Sequence, residues 1–351
     1  MVGIIERYRH LWNLGPLDES NLVTLGEGQT PLIRVRTPWA DGAGPQVFGK
    51  LEGCNPTGSF KDRGMTLAVT MAKQAGKTAA LCASTGNTAA SAAAYAARAG
   101  LKAVVVIPGG KVAPGKLLQV RAFGALLLEV EGAFDIALER LRNAIAERSR
   151  WELVNSVNPW RILGQESAAY EVVEQLGRVP DLFLLPVGNA GNITAYYRGF
   201  KRLGLIPPRF IGCQAEGAAS MVEDRDIENP ETVATAIRIG KPVSRSFAKE
   251  AVTATQGRFV AVSDQAILAA QAELAHQGIF VEPASATPYA VLLRLWQLGE
   301  LPSAQTAVLV FTGNGLKDSD TAQRVFPTQK TAWDGSTAAL DNALTADEVL
   351  P

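Results

Sequence analysis

A lysine in the first turn of a helix is the residue best placed to do chemistry. In Asn55-Pro-Thr-Gly-Ser-Phe-Lys61-Asp62-Arg63 a turn opens into a helix with Lys61 at its entrance. A cation at the positive end of a helix dipole is electrostatically misplaced if it only decorates a surface. Nearby positive charge and desolvation would lower the amine's pKa and make it a nucleophile or Schiff-base partner near neutrality. An ordinary solvated lysine is the alternative, and one loop does not decide between them.

Three more strand-to-helix loops carry concentrated polarity. Ala83-Ser84-Thr85-Gly86-Asn87-Thr88 presents hydroxyls, an amide and backbone N–H groups together, which suits a carboxylate or a phosphate. One of its hydroxyl residues is expected to cap the following helix. Gly188-Asn189-Ala190-Gly191-Asn192 has glycines that would let backbone N–H groups approach a phosphate. It lacks the spacings GxGxxG and GxxxxGK[ST], which disfavours NAD and ATP. In Val154-Asn155-Ser156-Val157-Asn158-Pro159-Trp160-Arg161, the side chains of Asn155, Ser156 and Arg161 could gather on a phosphate, with Lys116 adding charge. A helix cap plus a surface arginine is the bland alternative there.

The elements that must position these loops alternate from residue 62 onward, short apolar runs followed by longer amphipathic stretches, as in a parallel α/β sheet. Strands are predicted at Phe48–Glu52, Ala79–Ala83, Ala103–Ile107, Ala125–Val130, Leu182–Val187, Phe210–Gln214, Arg258–Val262 and Ala307–Phe311. Helices are predicted at Asp62–Ala75, Thr88–Ala99, Phe134–Glu147, Pro159–Leu176 and Ser263–His276, most stopped by a glycine. Ligands of open α/β sheets bind at the carboxyl ends of strands, so the four loops should converge on one cleft.

The bulk properties exclude several other classes. The chain has 351 residues, enough for two domains around a cleft. Its 34 basic residues balance 34 acidic ones, which gives no attraction to nucleic acid or an anionic membrane. Cys54, Cys82 and Cys213 have no paired spacing and only His10 and His276 could join them, so neither zinc nor a disulfide framework is expected. No leader-like apolar segment opens the chain and no apolar run reaches membrane-spanning length, so a cytoplasmic location in a reducing compartment is expected. Cys54 and Cys82, which flank the loops, are expected to be buried packing residues.

Taken together the motifs resemble the fold-type II enzymes that use pyridoxal 5'-phosphate (PLP), and within them the threonine synthases of the short bacterial and archaeal kind. Glu-Gly-Gln-Thr-Pro-Leu at 27–32, Asn-Pro-Thr-Gly-Ser-Phe-Lys-Asp-Arg-Gly at 55–64, Ser-Thr-Gly-Asn-Thr at 84–88, Gly-Asn-Ala-Gly-Asn at 188–192 and Thr-Gly-Asn-Gly-Leu-Lys-Asp at 312–318 arrive in that family's order. The resemblance implies that Lys61 carries PLP as a Schiff base and that Asn87 bonds the ring's 3'-oxygen. It places Gly188, Asn189, Ala190, Gly191 and Asn192 on the cofactor phosphate, and Thr312 opposite the ring nitrogen, which a hydroxyl leaves largely unprotonated. Ser84, Thr85 and Thr88 would take the substrate carboxylate, and Asn155, Ser156 and Arg161 the phosphate of O-phosphohomoserine.

The implied reaction is γ-elimination of phosphate followed by addition of water at the β-carbon to give L-threonine, with Lys61 moving the protons. A threonine or serine dehydratase and a phosphoserine-using β-replacement enzyme share the scaffold. The phosphate loop and Thr312 resemble the synthase, since dehydratases usually have a glycine run and a Ser or Cys at those places. Asn314 departs from the residues common in close relatives and leaves the surroundings of Thr312 open. The expected layout is α/β with two domains: residues 1–55 and 155–326 form a large PLP-binding domain of open, mostly parallel sheets flanked by helices. Residues 56–154 form a small mobile one, the active site lies between them, and 327–351 form a tail or subunit-contact arm. A homodimer is expected from the resemblance, Glu282 is expected at a cleft edge, and Ser285 near the cofactor.

Overall fold

The computed structural model describes residues 2–109, 114–131, 134–146, 148–301, 306–327, 333 and 335–340. Its strands are β1 (Leu32–Arg34), β2 (Gln46–Leu51), β3 (Ala79–Ala83), β4 (Lys102–Pro108), β5 (Leu126–Val130), β6 (Trp151–Leu153), β7 (Leu182–Pro186), β8 (Arg209–Ala215), β9 (Arg258–Val262) and β10 (Thr306–Phe311). The helices are α1 (Ile4–Tyr8), α2 (Lys61–Gln74), α3 (Asn87–Ala99), α4 (Pro114–Ala122), α5 (Phe134–Ala146), α6 (Pro159–Leu176), α7 (Gly191–Arg202), α8 (Arg245–Ala254), α9 (Asp264–Ala275), α10 (Pro283–Gln297) and α11 (Ser319–Val325).

Two sheets result. Six strands run in the order β1-β2-β10-β7-β8-β9, and four in the order β5-β4-β3-β6. Every described pairing is parallel except β1 on β2. The fold is therefore α/β with mostly parallel sheets flanked by helices. Both faces of the larger sheet are covered, which is why β7 and β10 read as unbroken apolar runs that are buried throughout. α9 and α10 pack on one face, and α1, α6, α7 and α8 on the other. α3 and α5 cover opposite faces of the smaller sheet.

α2 joins the two cores: Met65, Ala68 and Val69 pack with α3, while Leu67 packs with the α6 and α7 side. Phe183 on β7 meets the rings of Tyr196 at 4.7 Å, Phe210 at 5.4 Å and Phe200 at 5.7 Å. Burial of each ring is worth about 1.5–3 kcal/mol, and together they press α7 onto the sheet with its N-terminus at the carboxyl end of β7.

The strand run predicted at Phe48–Glu52 is displaced to Gln46–Leu51, because β10 pairs along that whole length and Glu52 then turns away into a 3₁₀ turn. β1 was not anticipated: it is a three-residue antiparallel edge, too short to show a period. Neither were α1, α4, α8 and α11, which are short or weakly patterned. Gly100 and Gly177 end α3 and α6 in the left-handed conformation, as predicted. Of the tail, only residue 327, Trp333 and residues 335–340 are described, and Trp333 and Leu340 are exposed. No helix among the described residues is long and apolar enough to cross a membrane.

Candidate active site

The first turns of α2, α3 and α10 are tied together by hydrogen bonds, as are the loops before α6 and α7. The Lys61 loop is stitched to the end of β10, where Phe60 N–H donates to Thr312 O at 3.0 Å and Asn314 N–H to Gly58 O at 3.0 Å. Gly313 N–H donates to Ser285 Oγ at 2.8 Å, and Glu282 N–H to Gly313 O at 3.1 Å. Asn87 Nδ2 donates to both oxygens of Glu282 at 3.1 Å, crossing from α3 to α10. Asn189 Nδ2 donates to Ser156 Oγ at 2.8 Å, so the loops before α7 and α6 lie side by side.

Lys61 is the first residue of α2. Burial pushes its amine down to about 7, the Arg161 guanidinium adds to the shift, and Glu282 opposes it. The Nζ lies 4.4 Å over the Phe60 ring, and among the described residues no carboxylate pairs with it. Arg161 is not a surface residue: it is 1% exposed, donates from Nη1 to Val154 O at 2.6 Å, and leaves its Nε without an acceptor. Burial lowers its pKa to about 10. The two cations come together because α2 and α6 touch through glycines. A Cβ on Gly64 would lie 2.4 Å from Arg161 O, and one on Gly164 would lie 2.2 Å from Arg63 O.

Several predicted side chains have destinations that sequence did not show. Asn155 accepts from Ala83 N–H at 3.0 Å and donates to Ala83 O at 2.9 Å. Its amide thus extends the strand alignment that precedes Ser84, and one Nδ2 proton and one Oδ1 lone pair are left over. Asn189 also accepts from Val243 N–H at 2.8 Å, so its side chain fastens the loop. The expected hydroxyl cap on α3 is absent. Gly86 occupies the cap position with no side-chain hydrogen bond, and Ser84 Oγ accepts from Gly86 N–H at 3.3 Å. Ser84, Thr85, Asn87 and Thr88 are half-buried.

The helix that follows the Asn155 loop is capped by Asn158, which accepts from Trp160 N–H at 3.0 Å. Asn314 caps its own turn by accepting from Leu316 N–H at 3.0 Å. Cys54 is exposed, contrary to the packing role expected, whereas Cys82 is buried. The side chain of Lys116 lies outside the described residues.

Sequence reasoning missed a second polar cluster directly behind the cleft. Arg63 is fully buried, and its guanidinium donates to Glu52 at 2.7 and 2.8 Å, to Glu171 at 2.8 and 2.7 Å, to Ser167 and to Thr30. Lys50 Nζ adds bonds to Glu171 at 2.7 Å and to Gln175 at 2.9 Å. Burial alone would raise the Glu171 pKa, but Arg63 and Lys50 outweigh it and hold the group at about 2. Glu282, expected as an unremarked edge residue, is 4% exposed and faces Asn87. An acid immediately before a proline at a helix start was the available signal.

A family model described as pyridoxal-phosphate dependent enzyme matches residues 23–313. The chain belongs to the pyridoxal-phosphate dependent enzyme family. It is 52% identical over 331 residues to the threonine synthase of Mycobacterium tuberculosis, covering 93% of this chain and 91% of the relative. It is 50% identical over 328 residues to that of Halalkalibacterium halodurans, covering 91% of each. Among solved structures it is similar to the cysteine synthase of Entamoeba histolytica, with a TM-score of 0.73, 20% identity, and coverage of 95% of this chain and 96% of that one. That likeness concerns the fold.

The residues present fit this family's cofactor. α7 opens with three N–H groups that have no partner inside the helix, aimed by Ala190 at φ 64. Asn192 adds a buried Nδ2 with no acceptor. This donor-only set is suited to a phosphate. A Cβ at Gly188 would lie 2.9 Å from Ile237 Cα, so only glycine fits that close passage. An amine with a pKa near 7 is suited to condensing with an aldehyde.

Proposed function

We propose that the chain converts O-phospho-L-homoserine and water to L-threonine and phosphate, the reaction of a threonine synthase. The observation that carries the choice of substrate is Arg161, a buried guanidinium close enough to act on Lys61 that forms no salt bridge among the described residues, Asp62 offsetting its charge only in part. A buried charge without a partner costs several kcal/mol, and an anionic substrate group would remove that cost.

Bound PLP supplies an aldehyde for the amine and an electron sink for the α-carbanion. The residues proposed to hold it are Lys61 at the aldehyde, the backbone of Gly188–Asn192 with the Asn192 amide at the phosphate, Asn87 at the 3'-oxygen and Thr312 at the ring nitrogen. Ser84, Thr85 and Thr88, none of which caps α3, take the substrate carboxylate together with the first N–H groups of that helix. Asn155, Ser156 and Arg161 take the leaving phosphate, Asn155 with the amide proton that its bonds to Ala83 leave over. Lys61 Nζ, freed when the substrate's own amine takes its place and kept from a high pKa by burial, would remove and return protons at the substrate carbons. Residues 56–154 are proposed to close over the cleft as a small mobile unit inserted in a larger one formed by 1–55 and 155–326, excluding water from the first half of the reaction. We also propose a cytoplasmic homodimer, with 327–351 in the subunit contact. The balanced charge and the three unbridged cysteines support the location.

The test is phosphate release from O-phospho-L-homoserine, with Lys61→Ala as control. Equal phosphate and threonine, both abolished in the variant, are expected. Keto acid from threonine or serine without phosphate release would reassign the chain to a dehydratase, and turnover of phosphoserine alone would reassign it to a β-replacement enzyme.

A further inference from the structure

Thr312 and Ser285 share one hydrogen bond, their hydroxyl oxygens 2.8 Å apart, and either could donate. Proton counting decides which does. A hydroxyl has one proton and two lone pairs. Ser285 Oγ already accepts from Gly313 N–H at 2.8 Å, so one lone pair is taken. Ser285 is fully buried in the first turn of α10, and among the described residues Thr312 Oγ1 is the one acceptor its proton reaches. If Thr312 donated to Ser285, the Ser285 proton would be stranded in a dry site, which costs more than the shared bond returns. Ser285 is therefore the donor. Thr312 keeps its own proton uncommitted, with 5% of its surface open.

We infer that Ser285 is a positioning residue that fixes Thr312 as a hydrogen-bond donor toward the ring nitrogen of the cofactor, an inference that rests on the reading of Thr312 given above. A donor there requires an acceptor, so the nitrogen is held unprotonated by two buried hydroxyls and one backbone N–H rather than by Thr312 alone. The backbone fixes the direction further, because Thr312 O accepts from Phe60 N–H and the preceding strand is paired on both sides.

The experiment loads the full chain with PLP carrying nitrogen-15 in the ring, and reads the nitrogen chemical shift and the cofactor affinity by fluorescence. Neither readout needs turnover. An unprotonated ring nitrogen throughout the neutral range is expected in the unaltered protein. Ser285→Ala should weaken cofactor binding by about 3–10-fold, the loss of one hydrogen bond, and move the shift toward the protonated value. Ser285→Thr, which keeps the hydroxyl, should restore both. In a Thr312→Val background Ser285→Ala should change neither, since the residue acts through Thr312.

A protonated nitrogen in the unaltered protein would overturn the direction, and that measurement stands even if a variant fails to fold. An undiminished Ser285→Ala effect in the Thr312→Val background would overturn the route through Thr312. Failure of PLP to bind the unaltered protein at all would instead overturn the cofactor reading itself, and is told apart because it precedes both measurements.

Discussion

Lys61 and Arg63 stand two positions apart at the start of α2, Arg63 fully buried and Lys61 half-buried, and their charges are treated in opposite ways. Arg63 lies in a set that sums to zero, two cations against Glu52 and Glu171, with every carboxylate oxygen bonded. Lys61 and Arg161 repel each other and form no salt bridge among the described residues, Glu282 and Asp62 offsetting their charges only in part. Closed charge arithmetic marks groups that hold the fold, and open arithmetic marks groups waiting for a ligand. One helical turn carries both, so the neutral set is a rigid mount for the charged one.

The contrast is broken most severely by Glu171→Gln. Leaving Arg63 and Lys50 short of a counter-charge should cost about 3–5 kcal/mol, seen as a fall in the denaturant midpoint. Arg161→Met should do the reverse. Stability should change by less than about 1 kcal/mol, since a buried cation is removed, while the KM for O-phospho-L-homoserine rises by about tenfold or more, the loss of a charge-assisted hydrogen bond. If Arg161→Met unfolds the protein as Glu171→Gln does, the two clusters do not differ as described.

Gly164→Ala tests the contact that brings the two together. Its Cβ would press on Arg63 O, and a cost of about 1–3 kcal/mol is expected, with the midpoint of Lys61 moving up as Arg161 is displaced.

The pH responses should also separate. Glu171 has its folded pKa held below the unfolded value, so its contribution is full above about 4.5 and is lost as pH falls toward about 2. Lys61 in the cofactor-free protein has its folded pKa lowered from 10.5 to about 7. The unfolded chain then binds more protons between those values, and stability should rise with pH across that window, by at most about 1.4 kcal/mol per unit. Lys61→Met should flatten that slope, as unfolding titrations in both proteins would reveal. The rate of PLP loading should have its midpoint near 7 in the same experiment.

Much of the scaffold was legible because it depends on local pattern. β3 and β9 begin and end where apolar runs do, and α6 runs from its proline to its glycine as predicted. Lys61 and the glycine loop could be singled out because helix starts and close backbone approaches have residue signatures. What was not legible was where side-chain ends finish. The sequence around Asn155 does not show that its amide bonds Ala83, a contact 72 positions away. Arg63 stands inside a recognisable motif, but its partners come from the 3₁₀ turn after β2, α6 and the loop before β1, so its role follows from packing alone. Ser285 matters only because β10 ends beside α10.

The stitching of the Lys61 loop to the end of β10 also bears on how the protein is made. Lys317 Nζ holds Thr57 O at 2.7 Å, a contact between positions 260 apart in the chain. At about 5–20 residues per second, the loop around Lys61 leaves the ribosome roughly 10–50 s before the strand that completes it. A nascent chain therefore cannot complete the surroundings of Lys61 until the residues around 317 have emerged.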